Sequence, residues 1–336
     1  MELVSICIST WNRAPDLKLL FESILKQDYF NLELCIVDNA SLDGTFRLVQ
    51  EYKEIFSNRG IPVNYELLPA PNNNAIQTIN QAMRMGTGKY LMIMDDDAYL
   101  LKSDVISRLV SQFGADPNCG IVGTNVRDIK GFSQLMITTL KGEFLDATGR
   151  IIYYNFHGAG AMFKRDVMQR LHYYDESFVI YMNELDIALR CIAMGYNVWL
   201  DMDSVVIHKG TVDMNACTKK AIFAIRNYNR CIRRNFTGLL KWRCLTLQTI
   251  MTFGYFAERI LMWDNYKKRC IFPLIYRTIL YNLVDFTRRQ PKNKISTSTY
   301  LRLPDIQLCI YNRIKRSFTS RISWSIFHKQ GIRGFK

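Results

Sequence analysis

Tyr90-Leu91-Met92-Ile93-Met94-Asp95-Asp96-Asp97 is the stretch on which the fold of this chain turns. Five apolar residues in succession bury both faces of a strand, the pattern of a central strand in a parallel sheet covered by helices on either side. The three aspartates then stand beyond the carboxyl end of that strand, where open α/β sheets bind their ligands. Like charges packed so closely resist ionising together, and a divalent cation relieves the conflict. In extended backbone Asp95 and Asp97 project to one face and Asp96 to the other, so the outer pair can converge on a hard cation and its phosphate ligands. A solvated acidic turn is the plainer alternative.

Outward from this strand the same alternation repeats. Short apolar runs at 4–9, 34–38 and 63–68 are separated by helical patterns at 15–26, 45–56 and 75–85, the first opening with Pro15 where its missing donor costs nothing. The early runs end in polar residues: Thr10-Trp11-Asn12-Arg13 after the first, Asp38-Asn39-Ala40-Ser41-Leu42-Asp43-Gly44-Thr45 after the second. Further on come a strand at 120–124, an extended segment at 151–156, and a turn of small residues at Gly158-Ala159-Gly160-Ala161. A helix at 184–194 and a last strand at 204–207, closed by His208, complete this part.

With 336 residues, 49% of them hydrophobic, the chain can build one large domain and an appendage, which excludes disorder as its dominant state. Residues 1–9 lack the basic leader and small-residue cleavage site of a secretory signal, so the expectation is a cytoplasmic domain. Nine cysteines without paired spacing are expected to be reduced and mostly buried. The longest apolar stretch, 244–262, is interrupted by Glu258 and Arg259 and falls short of the roughly 18–20 residues that span a bilayer.

Charge divides the chain. Residues 217–336 carry 25 Lys and Arg against 4 Asp and Glu, a net of +21, whereas residues 1–216 carry 19 against 26, a net of −7. The expected organisation is a catalytic domain over 1–216 and a basic, mainly helical region over 217–336. That region interleaves its cations with Trp242, Tyr255, Trp263, Tyr266 and Tyr276, among other aromatics. Such a mixture suits an anionic membrane surface. It equally suits a helical cover over an acceptor cleft with its charges solvated.

In order and combination these motifs resemble the family 2 glycosyltransferases, among them enzymes that move rhamnose, galactose or glucose. The resemblance covers roughly residues 3–210. It rests on Val4-Ser5-Ile6-Cys7-Ile8-Ser9-Thr10-Trp11-Asn12-Arg13, the run from Ile36 to Thr45, Gly88-Lys89-Tyr90 leading into the Asp triplet, Tyr181-Met182-Asn183-Glu184-Leu185-Asp186, and Val206-Ile207-His208. It implies a GT-A fold, an α/β domain with a mostly parallel central sheet flanked by helices, here with the basic helical extension.

The resemblance further implies a site. Thr10, Asn12, Arg13, Asp38, Asn80, Asp95 and Asp96 would bind the nucleotide, Asp38 through the imide nitrogen of a uracil or thymine base. Asp97, Asp95 and His208 would hold Mn2+ or Mg2+. Glu184 would take the acceptor proton, with Asp186 as the alternative base, and His157, Gly158, Ala159 and Gly160 would border the acceptor. The implied reaction moves a sugar from a UDP or dTDP donor to a carbohydrate or lipid-linked carbohydrate hydroxyl with inversion, on a protein that is cytoplasmic or peripheral on the inner face of the membrane.

Each assignment has a plainer reading. Asp38 suits an Asx turn, Glu184 suits the first turn of a helix, and a lone His208 suits a structural role. Asn183 replaces the acidic residue usual before the base, which leaves an inactive sugar-nucleotide-binding relative as one alternative. A nucleic-acid-binding module built on the basic third is another, although no nucleic acid is the expectation. A nucleotidyltransferase is set aside because Trp11–Asp16 does not supply its glycine-rich basic loop.

Overall fold

The structure is a computed structural model that describes residues 1–72, 74–134, 151–152, 156–210 and most of 217–252, together with Tyr276 and Ile279. The aromatics expected at a membrane beyond residue 252, Tyr276 apart, lie outside the described residues, as do residues 153–155 of the segment read as extended.

The first half follows the alternation in the sequence. β1 (Val4–Thr10), α1 (Ala14–Leu25), β2 (Leu32–Asp38), α2 (Thr45–Ser57), β3 (Val63–Leu67), α3 (Ala75–Met85) and β4 (Tyr90–Asp95) succeed one another as β/α units. β1 pairs in parallel with both β2 and β4, and β2 with β3. The Asn74 side chain accepts hydrogen bonds from the Ile76 and Gln77 backbone and so caps α3, a contact worth about 1 kcal/mol.

The second half changes hand. β5 (Ala98–Leu100), α4 (Val105–Ala115), β6 (Cys119–Arg127), β7 (Ile151–Ile152), β8 (Gly160–Lys164), α5 (Arg165–Arg170), α6 (Asn183–Ala193) and β9 (Asn197–His208) complete a sheet of order β3-β2-β1-β4-β8-β6-β9-β5, with β7 on β9. β8 runs antiparallel between β4 and β6, and β5 antiparallel to β9. Where the sequence suggested a turn through Ala161, the chain already enters β8 at Gly160. The reason is steric: a Cβ on Gly160 would lie 2.9 Å from both Thr124 Oγ1 and Val206 Cγ2.

The two faces of each strand feed different layers. Ile6, Ile8, Ile36 and Met92 pack with Leu20, Phe21 and Phe56 of α1 and α2. Cys7, Cys35, Leu91 and Ile93 pack with Met83 of α3 and with Met168, Ile187 and Ala188 of α5 and α6. Each such aliphatic or aromatic side chain contributes about 1.5–3 kcal/mol by leaving water. Six cysteines, Cys7, Cys35, Cys119, Cys191, Cys231 and Cys244, are buried.

α7 (Cys217–Asn235) opens the basic region, and it docks on α6 instead of standing apart. Phe178, Leu185 and Leu189 meet Tyr228, Cys231, Ile232 and Phe236 in a third apolar cluster. Its cations turn inward as well. Arg234 pairs with Asp175 and Asp186, and Arg230 donates to the Ser177 carbonyl and hydroxyl. No helix among the described residues is long and apolar enough to cross a membrane.

Candidate active site

The sheet brings the acidic triplet and His208 together by register. Asp95 ends β4 beside Ser9 of β1. The chain turns through Asp96 and Asp97 into β5, whose Ala98 faces His208 of β9. A hydrogen bond from the Lys209 N–H to the Asp97 carbonyl, 3.0 Å, fixes the junction. His208 Nε2 then lies 3.1 Å from Asp97 Oδ1 and 3.6 Å from Asp95 Oδ2. One ligand atom from each of Asp95, Asp97 and His208 falls within 4.8 Å of the others, a spacing able to hold a metal ion. Asp96, in the turn, stands outside this set and accepts from the Trp11 N–H.

Charges in this cluster are finely balanced. Burial works against ionised Asp97, but hydrogen bonding to His208 and the charges of His208 and Arg13 hold its pKa below the ordinary value. Burial likewise disfavours the His208 cation, yet Asp97 and Asp95 outweigh it and raise that pKa. Burial raises Asp95 to about 6 and Asp96 to about 7, each assisted by its acidic neighbours. The imidazole thus fills part of the role of a cation among carboxylates, and a donor set of two carboxylates and one imidazole suits Mn2+.

His208 is itself oriented. Its Nδ1 lies 2.8 Å from Gln134 Oε1, while Gln134 Nε2 donates to the His208 carbonyl at 3.2 Å. That arrangement assigns the Nδ1 proton to the Gln134 bond and leaves Nε2 for the acidic pair. The sequence reading missed Gln134, since only the closure of the Asp128–Gln134 turn on β9 brings it there.

A cleft of about 690 Å³ opens in front of the cluster. Thr10, Trp11 and Arg13 line one side, and Asn39, Asn72, Ile76 and Ile79 another. Asp95, Asp96 and His208 form the floor, facing His157, Gly158, Tyr174, Tyr181, Asn183 and Glu184. Glu184 enters from the first turn of α6, where burial, followed by the Asp95 charge, raises its carboxyl to about 7. Gly158 is packed against it: an added Cβ would sit 2.7 Å from Glu184 Oε1. His157 has its pKa lowered to about 4 by burial and by His208, and its Nδ1 accepts from the Ala159 N–H.

Several residues expected here are turned elsewhere. Asp38 is fully buried, its two oxygens taken by the Ser41 N–H and the Tyr65 hydroxyl; Asn39 faces the cleft in its place. Asn12, at φ 52°, ties the loop after β1 to Leu42 and Ser41. Asn80, fully buried, brackets the Tyr174 backbone. Ala159 is buried in the turn before β8, and Gly160 is the first residue of that strand. Asp186, 1% exposed, is held by Arg190 at 2.8 Å and Arg234 at 3.0 Å beneath α6, away from the cleft. Of the two acids of α6, only Glu184 lines the cleft.

The wall carrying Tyr181 is strained. Val179, Tyr181 and Met182 all have φ near 63°, where side chains are disfavoured. Asn227 of α7 holds them: its amide nitrogen lies 2.9, 2.7 and 2.9 Å from the carbonyls of Phe178, Ile180 and Tyr181.

Residues 5–171 match the sequence model of glycosyl transferase family 2. The chain belongs to that family. It is 34% identical over 108 residues to the abequosyltransferase RfbV of Salmonella typhimurium, a match covering 31% of this chain and 30% of RfbV. It is 28% identical over 112 residues, 32% of this chain and 41% of the relative, to the UDP-Glc:alpha-D-GlcNAc-diphosphoundecaprenol beta-1,3-glucosyltransferase WfaP of Escherichia coli. The matched stretches thus span less than half of these relatives. Among solved structures, the mannosyltransferase PcManGT from Pyrobaculum calidifontis, in complex with GDP-Man and Mn2+, superposes with a TM-score of 0.58 at 19% identity, over 84% of this chain and 87% of its own. That likeness identifies the fold of this family 2 member as GT-A.

Proposed function

We propose that the chain is a metal-dependent, inverting glycosyltransferase that moves a sugar from a UDP or dTDP donor to an acceptor hydroxyl in polysaccharide or glycolipid assembly. The observation that carries this reading is the meeting, at one cleft, of a three-ligand cluster and the Glu184 carboxyl of raised pKa. Asp95, Asp97 and His208 would hold Mn2+ or Mg2+, and the ion would supply charge neutralisation for a diphosphate leaving group. The base end of the nucleotide falls to the Thr10, Trp11, Asn39 and Asn72 walls, since Asp38 is engaged elsewhere.

Glu184 is the proton acceptor. The acceptor oxygen forms its bond to the anomeric carbon as the bond to the diphosphate oxygen breaks. The electron pair leaves with the diphosphate and the hydroxyl proton passes to Glu184. One displacement inverts the anomeric centre. A carboxylate with its pKa near 7 is well matched to that transfer at neutral pH. WfaP, named for a diphosphoundecaprenol acceptor, supports a lipid-linked acceptor here too. In that setting residues 217–336 cover the acceptor side and attach to the inner leaflet. Sedimentation with anionic vesicles at physiological salt tests the attachment, and its absence would count against it.

Thermal stabilisation by a panel of UDP-glucose, UDP-galactose, UDP-GlcNAc, dTDP-rhamnose and GDP-mannose, with and without Mn2+, tests the core of the reading. A Mn2+-dependent rise for a UDP or dTDP sugar, lost in Asp97→Ala, is expected. A rise with GDP-mannose alone would overturn the donor assignment, and no Mn2+-dependent rise at all would overturn the mechanism. The anomeric configuration of the product, read by NMR, decides inversion.

A further inference from the structure

Tyr174 carries a polar group that the protein itself leaves unused. The residue is 2% exposed and its hydroxyl has no hydrogen-bond partner among the described residues, yet Tyr174 lines the cleft. Everything else about it is fixed. Its N–H donates to Asn80 Oδ1 at 3.1 Å, and its carbonyl accepts from Asn80 Nδ2 at 2.8 Å. Its ring meets Phe163 edge to face at 6.3 Å. A phenylalanine would fill the same volume without the cost of a buried, unsatisfied hydroxyl.

The charged groups that act on this hydroxyl are the carboxylates of Glu184 and Asp95, with Arg190 opposing them more weakly. Burial comes first among the causes that keep the phenol protonated, so the group is a donor at any physiological pH. In the glycosyl-transfer reading, on which this inference rests, Glu184 and Asp95 flank the reacting centre. Tyr174 lines the same cleft as Glu184 and Asp95, so a rigid donor there is placed for the sugar between them.

We infer that Tyr174 determines sugar specificity by donating a hydrogen bond to a hydroxyl of the transferred sugar. A site built around such a bond rejects a sugar that lacks or misdirects that hydroxyl, because the phenol then stays unpaired. Asn80 serves as the positioning residue, clamping the Tyr174 backbone from α3.

Tyr174→Phe in the full chain, with Mn2+, is the test. The probes are the sugar nucleotide of the panel above that stabilises the wild type most, and its bare nucleotide. The variant is expected to melt at the wild-type temperature or higher without ligand and to bind the bare nucleotide unchanged. Its affinity for the sugar nucleotide should fall by about 10-fold, the effect of one hydrogen bond. An unchanged affinity for the sugar nucleotide, equal weakening for both probes, or a lowered ligand-free melting temperature would each overturn the inference. Should the wild type bind no sugar nucleotide of the panel, the glycosyl-transfer reading falls, and the role of Tyr174 with it.

Discussion

Burial raises the Glu184 carboxyl from an ordinary value of 4.5 to about 7, which means that the fold favours its neutral form. The stability this group contributes is full below its unfolded value and is lost as pH rises through about 7. Catalysis needs the opposite state, since only the carboxylate accepts a proton. The rate of transfer should therefore climb with pH through about 7 and level off above it. Glu184→Gln removes both effects. Transfer should drop by about 10²–10⁴-fold, while the thermal midpoint at pH 8 should rise, by up to about 3 kcal/mol of stability, with no gain at pH 4. A variant melting like the wild type at both pH values would argue against the raised carboxyl. His208 is subject to the same kind of local control through Gln134. Gln134→Ala frees the ring, and titration calorimetry should show Mn2+ binding weakened by about 10–100-fold with the fold intact.

α6 and α7 turn these side chains into a wall. Asp186 lies between Arg190 and Arg234 with almost no water access, and together with Asp175 on Arg234 it balances their charge. Asp186→Ala would leave the buried Arg190 guanidinium without its carboxylate and Arg234 with Asp175 alone, and should lower stability by about 3–5 kcal/mol in chemical unfolding, whereas Glu184→Gln should not. This separates a structural acid from the proposed base two residues apart. Asn227 does related work on the strained loop before α6. Asn227→Ala should release Val179–Met182, raise the KM for the acceptor and cost about 1–3 kcal/mol, the penalty of leaving carbonyls unpaired. Hydrogen exchange of the loop amides would report its release.

Across the molecule, what could be read from the sequence follows from how local the signal is. The β/α repeats of the first half and the helix at 75–85 are visible because each strand and its covering helix carry their own periodicity. The Asp95 and Asp97 pair is visible as two acids one residue apart at the end of a buried strand, but a turn through Asp96 and Asp97, and not alternation in a strand, brings them together beside His208. Asp38, Asn80 and Asp186 could not be placed, since whether a polar residue at a strand or helix end faces the cleft or the interior depends on partners such as Tyr65, Tyr174 and Arg234, far away in sequence. β8 and β5 escaped for the same reason: short antiparallel strands are held by neighbours instead of by their own pattern. The charge step at 217 marks a change in composition, but α7 on its far side completes the apolar cluster around Phe178, Leu185 and Leu189. A chain ended at 216 would expose that cluster, unpair Asp186 from Arg234 and lose the Asn227 clamp. It should accumulate as aggregate or bind a hydrophobic dye, and give no Mn2+-dependent stabilisation by sugar nucleotides. A chain ended at 252 keeps α7 and should stay in solution with that response. If the shorter chain folded and responded equally well, α7 would be an appendage and not part of the catalytic unit.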